Sequence, residues 1–244
     1  MPVMPFHTQS SRLAWMGLVL LLASALFLLW LGTTRLDVRL AASIYDPVTG
    51  GFPLRHAWFA EVLAHQWLKW CMLVLGGGVL ALVAWDTWRP RAWIAAGLRV
   101  RLRVVAACAI TVPLVVSTLK RLSASHCPWD IIDYGGSAPY VHLLDAMPAG
   151  VAAGHCFPAG HATSVLWLLS LCTLWLPSQP RRAFGVAILT LLVGGAVGWI
   201  QQLRGAHFLS HTLWSMWIAC AVTFVWYQWL TRHELHRRRH AVQA

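Results

Sequence analysis

The sequence predicts an all-α fold: a six-span transmembrane helical bundle with a long periplasmic loop between spans three and four. Three observations predict it. Hydrophobic residues make up 58% of the 244, and charged residues only 11%, about half the usual share of a soluble domain. Mean hydropathy is +0.60. The apolar residues gather into six runs, each close to the roughly 20 residues that cross a bilayer. The same figures exclude a disordered chain, a coiled coil and an ordinary water-soluble enzyme. Residues 1–244 read as one integral membrane domain.

Each span has its own signals. The first, 13–31, is too long and too evenly apolar for a typical secretory signal, and no small-x-small site ends it. A more polar stretch, 33–66, follows. Asp46-Pro47 and Gly50-Gly51-Phe52-Pro53 read as turns within it, and 58–67 reads as a short helix on the membrane surface. The second span, 67–85, has Trp70, Trp85 and Trp88 near its ends as interfacial anchors. Its Gly76-Gly77-Gly78 would weaken a soluble helix, but in lipid small residues let backbones approach closely. The third span is 104–119 and the fourth 159–176. The fifth, 184–203, carries Gly194, Gly195 and Gly198 as a second close-packing face. The sixth is 211–230. No internal repeat or low-complexity segment interrupts the series.

Charge sets the orientation. The net charge is +11, from 17 Arg and 2 Lys against 8 acids. In so apolar a chain this excess signals topology and anionic lipid headgroups, not nucleic acid. Arg89, Arg91, Arg99, Arg101 and Arg103 follow span two, Arg181 and Arg182 follow span four, and Arg232, Arg237, Arg238 and Arg239 fill the tail. All of these segments are expected in the cytoplasm, with both termini. The opposite side holds 33–66, 120–158 and 204–210; in a bacterial inner membrane that side is the periplasm. No residue pattern bears on oligomeric state.

Chemistry-bearing residues collect on that outer side. Lys120 ends span three. His161 opens span four within Phe157-Pro158-Ala159-Gly160-His161. Arg204, His207 and His211 lie between spans five and six. Each alone is an ordinary polar residue at a helix end; three distant segments delivering such groups to one surface favour a site.

In this order the residues resemble the type 2 phosphatidic acid phosphatase superfamily, which includes lipid phosphate phosphatases and vanadium haloperoxidases. The family signature is Lys, six residues, Arg-Pro; then Pro-Ser-Gly-His; then Ser-Arg, five residues, His, three residues, Asp. This chain has Lys120, six residues, Cys127-Pro128; then Pro158-Ala159-Gly160-His161; then Gly205-Ala206-His207-Phe208-Leu209-Ser210-His211. The resemblance spans 120–211. Cys127 stands at the Arg, Ala159 at the Ser, Ile200-Gln201 at the Ser-Arg and His211 at the Asp. Arg204 lies about one helical turn beyond Gln201 and can point the same way.

The resemblance implies a membrane phosphatase that needs no metal and no cofactor. His207 attacks phosphorus in line and becomes phosphohistidine. His161 protonates the leaving oxygen, then activates water. Lys120 and Arg204 hold the phosphoryl oxygens, Ala159 and Gly160 complete the phosphate-binding set, and the free N–H groups of Gly160 and His161 face the anion at the start of span four. His211 is the residue placed to orient His207, with Asp130, Asp133 and Asp145 as other sources of the missing carboxylate or as plain solvated loop acids. Arg121 and His126 are near the site in sequence and equally well interface residues.

Four cysteines, Cys71, Cys108, Cys172 and Cys220, lie in spans as small hydrophobes. Cys127 and Cys156 flank motifs in the outer loop, on an oxidising side, where a disulfide would tie motif one to motif two; two packed free thiols are the alternative. A metal-binding protein is a competing class, since His126, His142, His155, His161, His207 and His211 are available and the last two have i,i+4 spacing, yet no Cys or carboxylate completes a ligand set. A noncatalytic component or transporter would place polar groups at mid-span. A phosphotransferase would share the first step and differ in the acceptor. The expected partners are the bilayer and a membrane lipid phosphate: lipid A phosphate, undecaprenyl pyrophosphate, phosphatidylglycerophosphate or phosphatidic acid.

Overall fold

The computed structural model describes residues 6–243, and its regular elements are helical. In chain order they are α1 (Phe6–Gly32), α2 (Leu36–Ala42), α3 (Leu68–Trp88), α4 (Ala96–Leu122), α5 (Gly160–Leu166), α6 (Pro180–Leu203) and α7 (Leu209–Gln243). A π-helical segment, Phe59–Trp67, leads directly into α3, where a surface helix was expected. Among the described residues there is no strand, only isolated bridges pairing Asp46 with Gly51 and Ile131 with Ala138.

Among the described residues, five helices are long and apolar enough to cross a membrane, over Ala14–Gly32, Leu68–Trp88, Ala96–Leu122, Pro180–Leu203 and Leu209–Arg237. The run expected as a fourth span behaves differently. It forms the short α5 and then a 3-10 stretch, Trp167–Trp175. Two buried hydroxyls favour the tighter winding, because each bonds a carbonyl three residues back: Ser170 to Trp167 and Thr173 to Ser170, both at 2.7 Å. This rod is the centre of the bundle. Leu166, Trp167 and Leu169 pack with Val104, Val105, Cys108 and Val112 of α4 and Ala219 of α7 in one buried cluster.

In lipid, burial of apolar surface drives little association, and close approach of backbones matters more. The glycines of α6 serve that end. A Cβ at Gly198 would lie 2.2 Å from the Thr212 side chain, so α6 and α7 touch there only because the residue has none. Gly194 meets Leu166 of α5 in the same way, and of the triplet in α3 only Gly76 faces neighbours, Trp167 and Ala109.

Helix α4 starts at Ala96, well before the expected 104. A hydropathy reading stops at the arginines, but their charges are provided for. Asp86 takes the Arg99 guanidinium through two bonds, 2.5 and 3.1 Å, and Arg101 donates to the Leu174 carbonyl at 2.8 Å. Helix α7 likewise runs past 230, where Trp229 stacks on His233 with ring centroids 5.8 Å apart, an i,i+4 pair on one face.

At the opposite end of α4 a second, aromatic cluster covers the bundle. Val38, Ala41, Phe52, Ile131, Tyr134 and Phe208 are its buried members, and Tyr134 donates to the Val38 carbonyl at 2.5 Å. It braces the α6–α7 turn. Gly205 has φ +74°, the Trp129 N–H donates to its carbonyl at 3.0 Å, and a Cβ there would lie 2.3 Å from the Phe52 ring. Asp37 of α2 fixes the start of α7: its carboxylate accepts from the Ser210 N–H at 3.0 Å and from the Ser210 hydroxyl, as an anion at a helix N-terminus should.

Candidate active site

Three segments meet at the end of the bundle under the aromatic cluster. The last turn of α4 contributes Lys120, the start of α5 contributes Gly160 and His161, and the α6–α7 turn contributes His207. The imidazoles of His161 and His207 are in contact, Nδ1 to Nε2, at 3.1 Å. The Lys120 stem passes Gly160, where a Cβ would sit 3.9 Å from its Cδ. Lys120, Gly160 and His161 line a groove of about 540 Å³ between α3, α4 and α5. Lys69 of α3 lines the same groove. Both lysines of the chain therefore border one cavity. Toward the other end its walls turn apolar, with Leu80, Ala109, Pro113 and Trp167, and the flanking Leu73 and Leu114 are exposed on the bundle's outer face.

His207 is 2% exposed. Burial holds its pKa well below the ordinary imidazole value; repulsion from His161, His211 and Lys120 acts the same way, and a bond to the Cys156 main chain partly offsets them. The ring is thus neutral near pH 7, with a lone pair to offer. Its Nδ1 lies 3.5 Å from Cys156 Sγ.

Cys156 and Cys127 are joined in a disulfide, with Cα atoms 5.3 Å apart. Main-chain bonds zip the flanks: Gly154, His155 and Cys156 donate to Ala124, Ser123 and Ser125 at 2.9–3.2 Å. Cys127, Cys156 and His207 are the one trio among the described residues spaced to hold a metal, but the two sulfurs bond each other and offer no thiolate.

Other expected roles need correction. The Ala159 N–H donates to the His211 carbonyl at 3.1 Å, which removes it as a phosphate donor. His211 does not orient His207 through a hydrogen bond. Its ring stands edge-on, centroids 5.8 Å apart, and its Nδ1 is buried without a partner. Asp133 and Asp145 are exposed, Asp145 accepting from the His142 N–H at 3.3 Å; neither they nor Asp130 bond His207 or His211. His126 Nε2 pairs with the Ala152 carbonyl at 2.9 Å, and Arg121 is exposed. Arg204 is buried and braces the turn, Nε to the Arg55 carbonyl and Nη1 to Gln201 Oε1, both 3.1 Å. It does not line the groove with Lys120.

Three residues escaped the sequence reading. Asp37 is a buried acid whose pKa is raised by burial, against the pull of its Ser210 bonds; in the sequence it lies between Arg35 and Arg39 and reads as an ordinary member of a charged surface turn. Lys69 had the rarity of lysine in this chain. Gln201, at the family's Arg position, keeps a wholly buried Nε2 with no partner, because Arg204 fixes its Oε1.

Residues 101–234 match the model of the PAP2 superfamily. No curated protein and no solved structure gives a significant match.

Proposed function

Since the chain belongs to the PAP2 superfamily, we propose that it is an integral membrane phosphatase that hydrolyses a lipid phosphomonoester or pyrophosphate at the periplasmic membrane surface, through a phosphohistidine on His207. The family has phosphatase and phosphotransferase-type activity, often on lipid phosphates. The observation that carries the finer reading is the 3.1 Å contact between the buried His207 and His161, which lines a groove with two lysines at one end and apolar walls at the other. That polarity suits an amphiphile, with its phosphate beside the lysines and its chain along α3 and α4.

The steps follow from the groups present. Nε2 of neutral His207 forms the N–P bond as the bond from phosphorus to the lipid oxygen breaks in line. The His161 proton goes to that oxygen. His161 then takes a proton from water, whose oxygen attacks phosphorus, and inorganic phosphate leaves with His207 restored. Lys120, which lines the groove beside His161, offsets the charge on the equatorial oxygens.

In the membrane, α5 and its 3-10 continuation make the sixth crossing. Their seven and nine residues, at about 1.5 and 2.0 Å each, give a rod of roughly 28 Å, close to the hydrocarbon thickness. With six crossings both termini lie in the cytoplasm of an inner-membrane protein.

The test is a panel assay of purified protein against the four candidate lipids with labelled phosphate. His207→Ala should lose turnover by about 10⁴-fold or more and keep its melting temperature. His161→Ala should be crippled on lipid and much less so on an aryl phosphate, whose leaving group needs no proton. Label recovered on a second lipid would make the enzyme a phosphotransferase, and turnover surviving in His207→Ala would remove the mechanism.

A further inference from the structure

A nucleophilic imidazole needs its proton on Nδ1, and a group there to hold proton and ring. The family pattern supplies a carboxylate from position 211. In this chain His211 makes no hydrogen bond to His207; Phe157 and Phe208 meet its ring edge to face at 5.4 Å each. The nearest buried acid, Asp37, is bound to Ser210. What stands at Nδ1 is Cys156, fully buried, with Sγ at 3.5 Å.

We propose that the Cys127–Cys156 bridge is the positioning element for His207 and takes over the place of the family's carboxylate. This rests on the reading of His207 as nucleophile.

The chemistry requires the bridge and not merely a cysteine. Nδ1–H donates to the Cys156 sulfur, a weak acceptor. A bridged sulfur carries no proton, so it can only accept; the Nδ1–H tautomer follows, and the lone pair is left on Nε2 facing His161. A free thiol at this distance could donate to Nδ1 and select the opposite tautomer. A thiolate would pair with a protonated ring and remove the lone pair altogether. The local chain is built to present the sulfur. His155 holds φ +49°, a left-handed conformation rare for a residue with a side chain. The next residue, Cys156, is pinned by its N–H to the Ser125 carbonyl at 2.9 Å, and its Sγ rests 3.2 Å from the Ala206 carbonyl. One sulfur thus touches both the residue before His207 and the ring itself. Being neutral, this support stabilises a cationic ring less than a carboxylate would.

The full-length protein in nanodiscs decides the matter, compared with Cys127→Ser/Cys156→Ser, with kcat and KM measured on a lipid phosphate and on an aryl phosphate, and the ¹⁵N signals of His207 recorded. The expected result is a fall in kcat of about 10- to 1,000-fold with little change in KM, a shift of His207 away from the Nδ1–H tautomer, and partial recovery of kcat when His211→Asp is added to the double variant. A bridge-less protein with the parent kcat overturns the proposal, and so does a lower kcat with the His207 tautomer unchanged. If the double variant fails to fold, the bridged parent decides alone: a proton on Nδ1 supports the proposal and a proton on Nε2 overturns it. Turnover that survives in His207→Ala strikes the parent reading instead, and so the two failures are distinguishable.

Discussion

His207 sits buried among imidazoles and a lysine, and that environment sets a pH dependence. Its folded-state pKa is lowered below the ordinary imidazole value of about 6.5. Between the two values the unfolded chain binds a proton that the folded chain refuses, so stability is complete above about pH 6.5 and falls as pH drops through that window, by up to about 1.4 kcal/mol per pH unit. Melting curves in detergent from about pH 8 to pH 5 should show this decline, and His207→Gln should remove its share of it. Lys120, Gly160, His161 and His207 were legible because the signature fixes their spacing, and the structure brings the last two within 3.1 Å. Ala159 was misassigned because a signature says nothing about where a main-chain N–H goes. Asp37 could not be paired in advance: its partner, Ser210, is 173 residues away, and nothing local announces it.

At the scale of the elements, the α6–α7 turn is the part most exposed to a single change. Gly205→Ala would force a side chain into positive φ, at a cost of about 1–3 kcal/mol, and would drive its Cβ into Phe52, at a cost of about the same again. A large drop in melting temperature is expected, and Phe52→Ala in the same chain should relieve only the steric half. An unchanged melt in Gly205→Ala would mean that the turn is less constrained than its packing implies. The long helices were legible from hydropathy. Their ends were not, because Asp86 and the Leu174 carbonyl neutralise or satisfy arginines that a hydropathy window counts as breaks. The 3-10 winding after α5 was illegible for another reason: it depends on hydroxyls bonding three residues back, in a run whose apolar composition suits an α-helix equally well.

The whole molecule has a charged end and an aromatic end. Arg99 and Arg101 mark one; Lys120, His161 and the Phe52–Tyr134 cluster mark the other. In the orientation we propose, the first faces the cytoplasm. Reporter fusions near Arg99 and at the C terminus should score as cytoplasmic, and fusions after Leu119 or at Ala152 as periplasmic; the reverse pattern would turn the site inward and replace the substrate list. The helical membrane bundle was legible from composition, and 159–176 was read as a span like the others; that its winding changes from α to 3-10 inside the bundle was not.

The first and last long helices are neighbours. Trp217 of α7 donates its indole N–H to the Leu21 carbonyl of α1 at 2.9 Å, and Asp37, just past α1, holds the start of α7. This closure has a meaning in time. A ribosome makes the chain from one end, and for most of synthesis α1 and Asp37 wait beside a partner that does not yet exist. His207 and the helix it precedes arrive last, so the groups of the site are assembled only when the whole chain is in the membrane. A chain that stops before α7 is therefore left with an open seam along α1 and with an Asp37 carboxylate that has no Ser210 to bind.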